Sequence, residues 1–141
     1  MRVTIAAMFL LASSPAMATG STAGFEKGGR FMYFDPVIAR YNLSGEPFRI
    51  DGICKSACTT FLSIRNVCVT RGAMFYFHAG HDTSRRITAS ATNHMLSTYN
   101  DRLASYVMAN HYMDTLEFHA ISGRDMIEKF GYRECPRRSR P

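Results

Sequence analysis

The chain has 141 residues, of which 46% are hydrophobic, and it carries a formal net charge of +6. This length suits one domain with a core of its own and excludes a large multidomain enzyme. Much of the positive charge lies in the terminal sequence RRSRP, without interleaved aromatic residues or a nucleic-acid-binding motif, so we expect no nucleic-acid partner.

The N-terminal residues have the pattern of a secretory signal peptide. Arg2 supplies the positive start, an apolar segment covers residues 3–11, and Ala16-Met17-Ala18 forms a small-residue cleavage site. A retained anchor is the alternative, although the apolar run is shorter than the roughly 20 residues that span a bilayer. We therefore predict a periplasmic or secreted protein without stable membrane insertion. Its parts are a signal peptide (1–18), one domain (19–136) and a basic tail (137–141).

Two helices and three strands can be predicted between the signal peptide and residue 80. A helix is expected to begin with Asp35 as its cap and Pro36 at its first position, and to end at Gly45. The alternating sequence PFRID predicts a strand at 47–51. A buried helix is expected to follow from Ser56 to about Ile64. Two further strands are expected at 67–70 and 73–80.

The second half of the chain is predicted to be mainly helical. After a polar loop at 81–91, Thr92 is expected to cap one long amphipathic helix that continues to Val107. Residues 113–121 are expected to form a short helix, and a last helix to begin with Ser122 and Asp125 and to end at Gly131. Alternating strands and helices predict an α/β fold with a largely parallel sheet.

The four cysteines are expected to form two disulfides in an oxidising compartment. Cys54, Cys58, Cys68 and Cys135 allow three pairings, which the sequence leaves open. Their spacing lacks the two-residue separation of zinc knuckles and thioredoxin-type redox sites. There is also no phosphate-binding glycine loop, so we predict neither a metal nor a cofactor.

Ser56 is the strongest candidate for chemistry, because it lies between a strand and a helix. The unpartnered N–H groups at a helix start stabilise negative charge that develops beside such a serine. A serine hydroxyl needs a neighbouring base, and His78 is the histidine at the end of a predicted core strand, where sites in parallel sheets gather. The alternative for His78 is a packing role among aromatic residues. Lys55 is a less favoured base, since adjacent side chains at a turn diverge.

The order of the Gly-Gly pair, the KSACT turn and the FHAG strand end resembles the Clp-type serine peptidases of the crotonase-like superfamily. The likeness is greatest to exported, cysteine-containing members and extends more loosely to about residue 132. It implies a compact crotonase/Clp-peptidase-like sheet with flanking helices. It also implies that Ser56 is the nucleophile and His78 the base. Gly28, Gly29 and Ala57 would form the oxyanion hole.

The third catalytic residue is the main departure from that family. The segment that carries the family's acid reads LEFHAISG, and the corresponding position falls near His119. Glu117 is two positions away and is the acid expected to orient His78. Asp114 and Asp125 are less favoured, because Asp125 is explained as part of a helix cap. The domain is also shorter than the peptidases and leaves little room for strands before Gly28.

Together these features predict an exported serine hydrolase or peptidase that acts on a peptide or small acyl substrate. Cys54 and Cys58 would stabilise the Ser56 turn through crossed disulfides to Cys68 and Cys135. His81 and Asp82 follow the histidine strand and are candidates for metal or substrate binding, with a solvated loop as the alternative. A non-catalytic binding or assembly module and an interaction protein that pairs through an exposed strand edge are the alternative functions. Homo-oligomerisation is left open.

Overall fold

The computed structural model describes residues 19–138, so the predicted signal peptide and the last three residues of the basic tail lie outside the described residues. The described residues form six strands: β1 Gly20–Ser21, β2 Phe48–Ile50, β3 Ile53–Lys55, β4 Val67–Val69, β5 Met74–Phe77 and β6 His119–Ser122. The same residues also form four α-helices: α1 Phe31–Ser44, α2 Ala89–Leu96, α3 Asp101–Ala109 and α4 Gly123–Glu128. A 3₁₀-helix occupies Ser56–Ser63.

The strands form two small sheets, and together with the helices they give the mixed α/β architecture that was expected. The order in the first sheet is β1-β2-β4, with all strands parallel. In the second sheet β3 pairs with β5 in parallel, and β6 pairs with β5 antiparallel. The chain passes from the first sheet to the second at Gly52, whose φ of 64° turns the backbone. The strand predicted at 47–51 corresponds to β2, whereas β3, which lies between it and Ser56, was not predicted.

The core is centred on the 3₁₀-helix, which is buried between α1 and both sheets. Its Phe61 is fully buried, and its ring lies 4.7 Å from that of Phe48 and 5.2 Å from those of Phe34 and Phe25. Burial of such large aromatic side chains contributes much of the favourable free energy of folding. The 3₁₀-helix is consequently held on several sides, and Ser56 at its first position is held with it.

The start of helix α1 differs from the prediction. Helix α1 begins at Phe31 rather than after Asp35, because the apolar stripe of Phe31, Phe34 and Tyr41 already packs on the core one turn earlier. Pro36 lies inside the helix, and the carboxylate of Asp35 accepts a hydrogen bond of 3.0 Å from His94 Nε2 instead of capping.

The long helix predicted from Thr92 to Val107 is wrong, since two helices cover this region. Thr88 caps α2, and Asn100 caps α3 by accepting from the N–H of Leu103 at 3.0 Å. The Asn100 amide also donates to the carbonyl of Phe130 at 2.7 Å, which fixes the break against the C-terminal segment. The helix predicted for residues 113–121 is wrong as well, because His119–Ser122 pairs with β5 as a strand.

Two disulfides stabilise the domain, but their pairing differs from the crossed arrangement that was expected. Cys54 pairs with Cys58, with Cα atoms 5.2 Å apart, and Cys68 pairs with Cys135, with Cα atoms 4.7 Å apart. Cys54 ends up beside Cys58 because the chain turns sharply between β3 and the 3₁₀-helix. Cys68 in β4 is instead adjacent to the C-terminal segment, where Cys135 N–H donates to the carbonyl of Val69. Within residues 19–138 no helix is long and apolar enough to span a membrane.

Candidate active site

A cavity of about 640 Å³ opens beside the start of the 3₁₀-helix. Ser56 and His78 both line it, so the structure brings the two predicted side chains to one site. Gly29 forms part of the same wall, and Phe31, Met95 and Phe118 make other parts of it apolar. The cavity volume is in the range of small-molecule binding sites.

Ser56 occupies a strained turn. It directly follows β3 and begins the 3₁₀-helix, and its φ is +54°, a left-handed conformation that non-glycine residues adopt infrequently. Such strain costs about 1–3 kcal/mol and persists only where the surrounding structure enforces it. The Cys54–Cys58 disulfide closes a short loop around Ser56, and both cysteines are fully buried. The covalent loop therefore holds Ser56 in the turn.

Two buried hydroxyl groups support the turn from the core side. Thr59 Oγ1 donates to the carbonyl of Ser56 at 2.7 Å and shares a hydrogen bond of 2.6 Å with the Tyr99 hydroxyl. Because the Thr59 proton is directed to Ser56, Tyr99 is the donor of the second bond. Burial raises the pKa of Tyr99, so this hydroxyl stays protonated. The sequence analysis missed Thr59 and Tyr99, and nothing in their local pattern distinguishes them from other core residues.

The glycine pair packs directly on the Ser56 turn. A Cβ atom on Gly28 would lie 2.7 Å from the carbonyl oxygen of Lys55 and 2.8 Å from Ser56 Cβ, and the φ of Gly28 is +76°. Only glycine fits this close approach without displacement. The Gly28 N–H already donates to the carbonyl of Phe25 at 3.1 Å, which favours other N–H groups over that of Gly28 as oxyanion donors. Gly28 is a packing residue at this site.

Two other backbone N–H groups close to Ser56 are candidates for the oxyanion hole, and of these residues Gly29 lines the cavity. The N–H of Gly29 has no backbone partner among residues 19–138. Ala57 is the second residue of the 3₁₀-helix, where N–H groups lack a partner within the helix. The two segments are in contact, since a Cβ on Gly28 would lie 3.2 Å from Ala57 N. Gly29 and Ala57 are thus the donors that can face a developing oxyanion.

His78 follows the end of β5 and is only 4% exposed. Its Nδ1 lies 2.6 Å from the carbonyl oxygen of Ala79, which can only accept, so Nδ1 carries the proton and Nε2 is the free acceptor. The ring packs edge-on against Phe118, with centroids 5.0 Å apart. Burial lowers the pKa of His78, and the charges of His81 and Arg85 lower it further, while the Ala79 carbonyl opposes both effects.

The expected acid does not contact His78. Glu117 is exposed, and the hydrogen bond at His78 Nδ1 goes to a backbone carbonyl instead of a carboxylate. Within the described part of the chain Ser56 Oγ and His78 are not hydrogen-bonded to each other, although both residues line the same cavity. His119, at the family's acid position, stacks on Tyr112 with ring centroids 4.4 Å apart.

Charged residues that the sequence analysis did not single out surround the same cavity. Lys27 and Arg30 flank the glycine pair, and Arg85 lies in the loop that follows His78. His81 and Asp82, which were predicted as candidates for metal or substrate binding, also line the cavity. Among residues 19–138 no group of three histidine, cysteine or acidic residues has the arrangement needed to hold a metal ion. The positive charge of this cavity could have been predicted in part from the sequence, because Lys27 and Arg30 are adjacent to the glycine pair.

Comparison of the chain with protein-family models, with curated proteins and with solved structures found no match.

Proposed function

We propose that the chain is a serine hydrolase of the Clp-peptidase-like type that acts on peptides or small acyl compounds. The observation that carries this proposal is the strained Ser56 turn, which opens on the same cavity as the free Nε2 of His78. A strained serine at a strand-to-helix junction is a recurring way to expose a nucleophilic hydroxyl. The two disulfides agree with the predicted periplasmic or extracellular compartment.

The reaction proceeds in two transfers of the acyl group. Ser56 Oγ bonds to the substrate carbonyl carbon while its proton passes to His78 Nε2, and the Gly29 and Ala57 N–H groups donate to the resulting oxyanion. The tetrahedral intermediate collapses, and the leaving group takes the proton from His78. Water then attacks the acyl-serine while His78 accepts its proton; the bond between the acyl carbon and Ser56 Oγ breaks, His78 returns the proton to Oγ, and the acid product leaves.

The carbonyl of Ala79 performs one part of the role that an acid plays in a triad. It fixes the imidazole tautomer, because Nδ1 must carry the proton to donate to it. It carries no formal charge, so it stabilises the imidazolium less than a carboxylate does. We therefore expect slow turnover for this site and not a complete loss of nucleophilic reactivity at Ser56.

Labelling by a fluorophosphonate probe tests the proposal, because the probe forms a covalent bond with activated serines. We expect labelling of the wild type and none of Ser56→Ala. We expect His78→Gln to lower the labelling rate by about 100-fold, a typical contribution of general-base catalysis. Ser63→Ala is the matched control, since Ser63 lies in the same 3₁₀-helix and its hydroxyl donates to the carbonyl of Thr60 at 2.8 Å. Labelling of a folded Ser56→Ala would contradict the proposal.

A non-catalytic binding or assembly module is the second candidate function. The observation that favours it is the carbonyl, in place of a carboxylate, at His78 Nδ1. A binding module needs the cavity and its charge but not a reactive hydroxyl. Circular dichroism shows whether the wild-type protein is folded. Absence of labelling in a folded wild type supports this function instead of the hydrolase.

A further inference from the structure

The basic side chains around the cavity lack acidic partners. Lys27, Arg30 and Arg85 all line the cavity, and none of them forms a salt bridge with an acidic residue among residues 19–138. Several arginines elsewhere are paired; Arg71, for example, binds Glu128 at 2.7 Å and Glu134 at 2.8 Å. Unbalanced positive charge is thus a property of the cavity wall.

Asp82 is the one acidic residue of the described chain that lines the cavity, and it does not balance this charge. The Asp82 carboxylate accepts from Arg86 Nε at 3.0 Å and from the N–H groups of Ser84 and Arg86 at 2.8 and 3.0 Å. These bonds lower the pKa of Asp82 and commit its carboxylate to its own loop. The charge of Asp82 is therefore offset locally by Arg86, which does not line the cavity.

The same loop holds Arg85 in place over the cavity. Arg85 has a φ of +61°, and its N–H donates to the carbonyl of Asp82 at 3.0 Å. The reciprocal bond from Asp82 N–H to the carbonyl of Arg86 closes the loop at 2.9 Å. Hydrogen bonds on both sides hold this strained backbone, so the Arg85 side chain extends from a fixed point on the cavity wall. A guanidinium is suited to bind a carboxylate through two parallel hydrogen bonds.

We infer that the substrate of this site is an acyl compound bearing a carboxylate, which Arg85 binds while the Ser56 hydroxyl attacks the acyl carbon. This inference rests on the proposed hydrolase function and names its substrate class. Lys27 and Arg30 add attraction for the same negative charge at the cavity mouth. Because the cavity also has apolar walls at Phe31, Met95 and Phe118, the chain between the acyl carbon and the carboxylate is expected to be aliphatic.

A bound carboxylate would also assist the chemistry. Arg85 and His81 both disfavour the charged form of His78, and no carboxylate of residues 19–138 is hydrogen-bonded to that ring. A substrate anion paired with Arg85 offsets this repulsion when His78 takes the serine proton. The substrate thereby supplies part of the negative charge that a triad acid supplies in other hydrolases, and neutral substrates lack this contribution.

Matched pairs of esters test the inference. The substrates are the 4-nitrophenyl hemiesters of adipic, pimelic and suberic acids and the corresponding methyl 4-nitrophenyl diesters, which differ only in charge. Release of 4-nitrophenol is measured with Ser56→Ala as the background reaction. For the best chain length we expect kcat/KM of the anionic ester to exceed that of the methyl ester by about tenfold, the size of a charge-assisted hydrogen bond. This preference is expected to weaken with added salt, because the arginine is exposed.

Two arginine variants locate the effect. We expect Arg85→Gln to reduce the ratio of the two kcat/KM values towards one. Arg102→Gln removes the same charge from helix α3, away from the cavity, and is expected to retain the ratio. Equal hydrolysis of both esters by an enzyme that fluorophosphonate labels would overturn the substrate inference and leave the hydrolase intact. Absence of both labelling and ester hydrolysis would overturn the hydrolase and the inference together.

Discussion

In the proposed mechanism the protonation state of His78, a buried imidazole, controls the reactivity of Ser56. Its tautomer is fixed by the bond from Nδ1 to the Ala79 carbonyl, and its pKa is lowered first by burial and then by His81 and Arg85. An imidazole accepts a proton only in its neutral form. At the scale of the residue, the pH dependence of Ser56 labelling is therefore a direct report on the surroundings of His78.

We predict that the labelling rate of Ser56 falls on the acid side with a midpoint below about 6.5, the ordinary pKa of histidine. Arg85→Gln removes one charge that lowers the pKa of His78, so the midpoint should move to higher pH. The measurement is the labelling rate constant across this pH range, with Arg102→Gln as the control that leaves the midpoint in place. A midpoint that moves to lower pH in Arg85→Gln would contradict the assignment of His78 as the base.

The same shift affects stability in a defined direction. Because the pKa of His78 is lower in the folded chain than in the unfolded chain, the unfolded state binds more protons in acid. The contribution of neutral His78 to stability is complete above the unfolded pKa and is lost as the pH falls through that value towards the folded pKa. Acid conditions should consequently weaken both the fold and the reactivity of the serine.

At the scale of elements, the turn between β3 and the 3₁₀-helix depends on the glycine segment that packs against it. Lys55 N–H donates to the carbonyl of Glu26 at 2.9 Å, and Gly28 then lies directly over Ser56. The strained serine thus has three supports, which are the short disulfide, the Thr59 hydroxyl and this glycine contact. A substitution at Gly28 therefore tests whether this contact holds the turn, without any change to Ser56 itself.

We predict that Gly28→Ala destabilises the fold more than Gly24→Ala and also slows Ser56 labelling. Both glycines have positive φ, of +76° and +88°, so both variants incur backbone strain of about 1–3 kcal/mol. A Cβ at Gly24 meets no atom within 4 Å, whereas at Gly28 it overlaps Lys55 and Ser56. Denaturant unfolding measures the two free energies. Equal losses, with unchanged labelling in both variants, would show that the contact does not hold the turn.

Element prediction from the sequence succeeded where a signal is local. Helix α4 begins as expected, with the Ser122 side chain accepting from Asp125 N–H at 3.1 Å, and α1 ends as expected at Gly45. Prediction failed where a distant segment offers the same side chain another hydrogen-bond partner. Thr92 has a good capping side chain, but its hydroxyl accepts from Gly80 N–H at 2.9 Å, and Thr88 caps the helix instead. A residue's capping preference does not indicate which of two partners it will meet.

At the scale of the whole molecule, the two disulfides have different consequences. Cys68–Cys135 joins positions 67 residues apart and ties the C-terminal segment to β4, whereas Cys54–Cys58 spans only four positions around the candidate nucleophile. In the chain-entropy description the long loop contributes more, because it restricts the unfolded chain more strongly. One bridge is mainly a constraint on the fold, and the other is mainly a constraint on the site.

We predict that removal of the long disulfide affects stability more, and that removal of the short disulfide affects Ser56 labelling more. Cys68→Ala with Cys135→Ala should lower the free energy of unfolding by about 4 kcal/mol, and Cys54→Ala with Cys58→Ala by about 2 kcal/mol. The labelling rate of Ser56 should nevertheless fall more in the variant without Cys54–Cys58, because the turn that carries Ser56 is no longer closed. The rates are compared under conditions where both variants remain folded. A second variant that keeps the wild-type labelling rate would show that the short bridge is dispensable for the turn.

The sequence by itself determined part of this site and the mixed α/β class. Ser56, His78 and Gly29 were identifiable because a small polar turn, a strand end and a glycine pair each leave a pattern in a few adjacent residues. Tertiary structure alone decided the disulfide pairing, the carbonyl at His78 Nδ1 and the gathering of Lys27, Arg30 and Arg85 around one cavity. Each of these depends on which distant segments come together in space, and that is decided by packing of the whole core and not by the preference of any local segment.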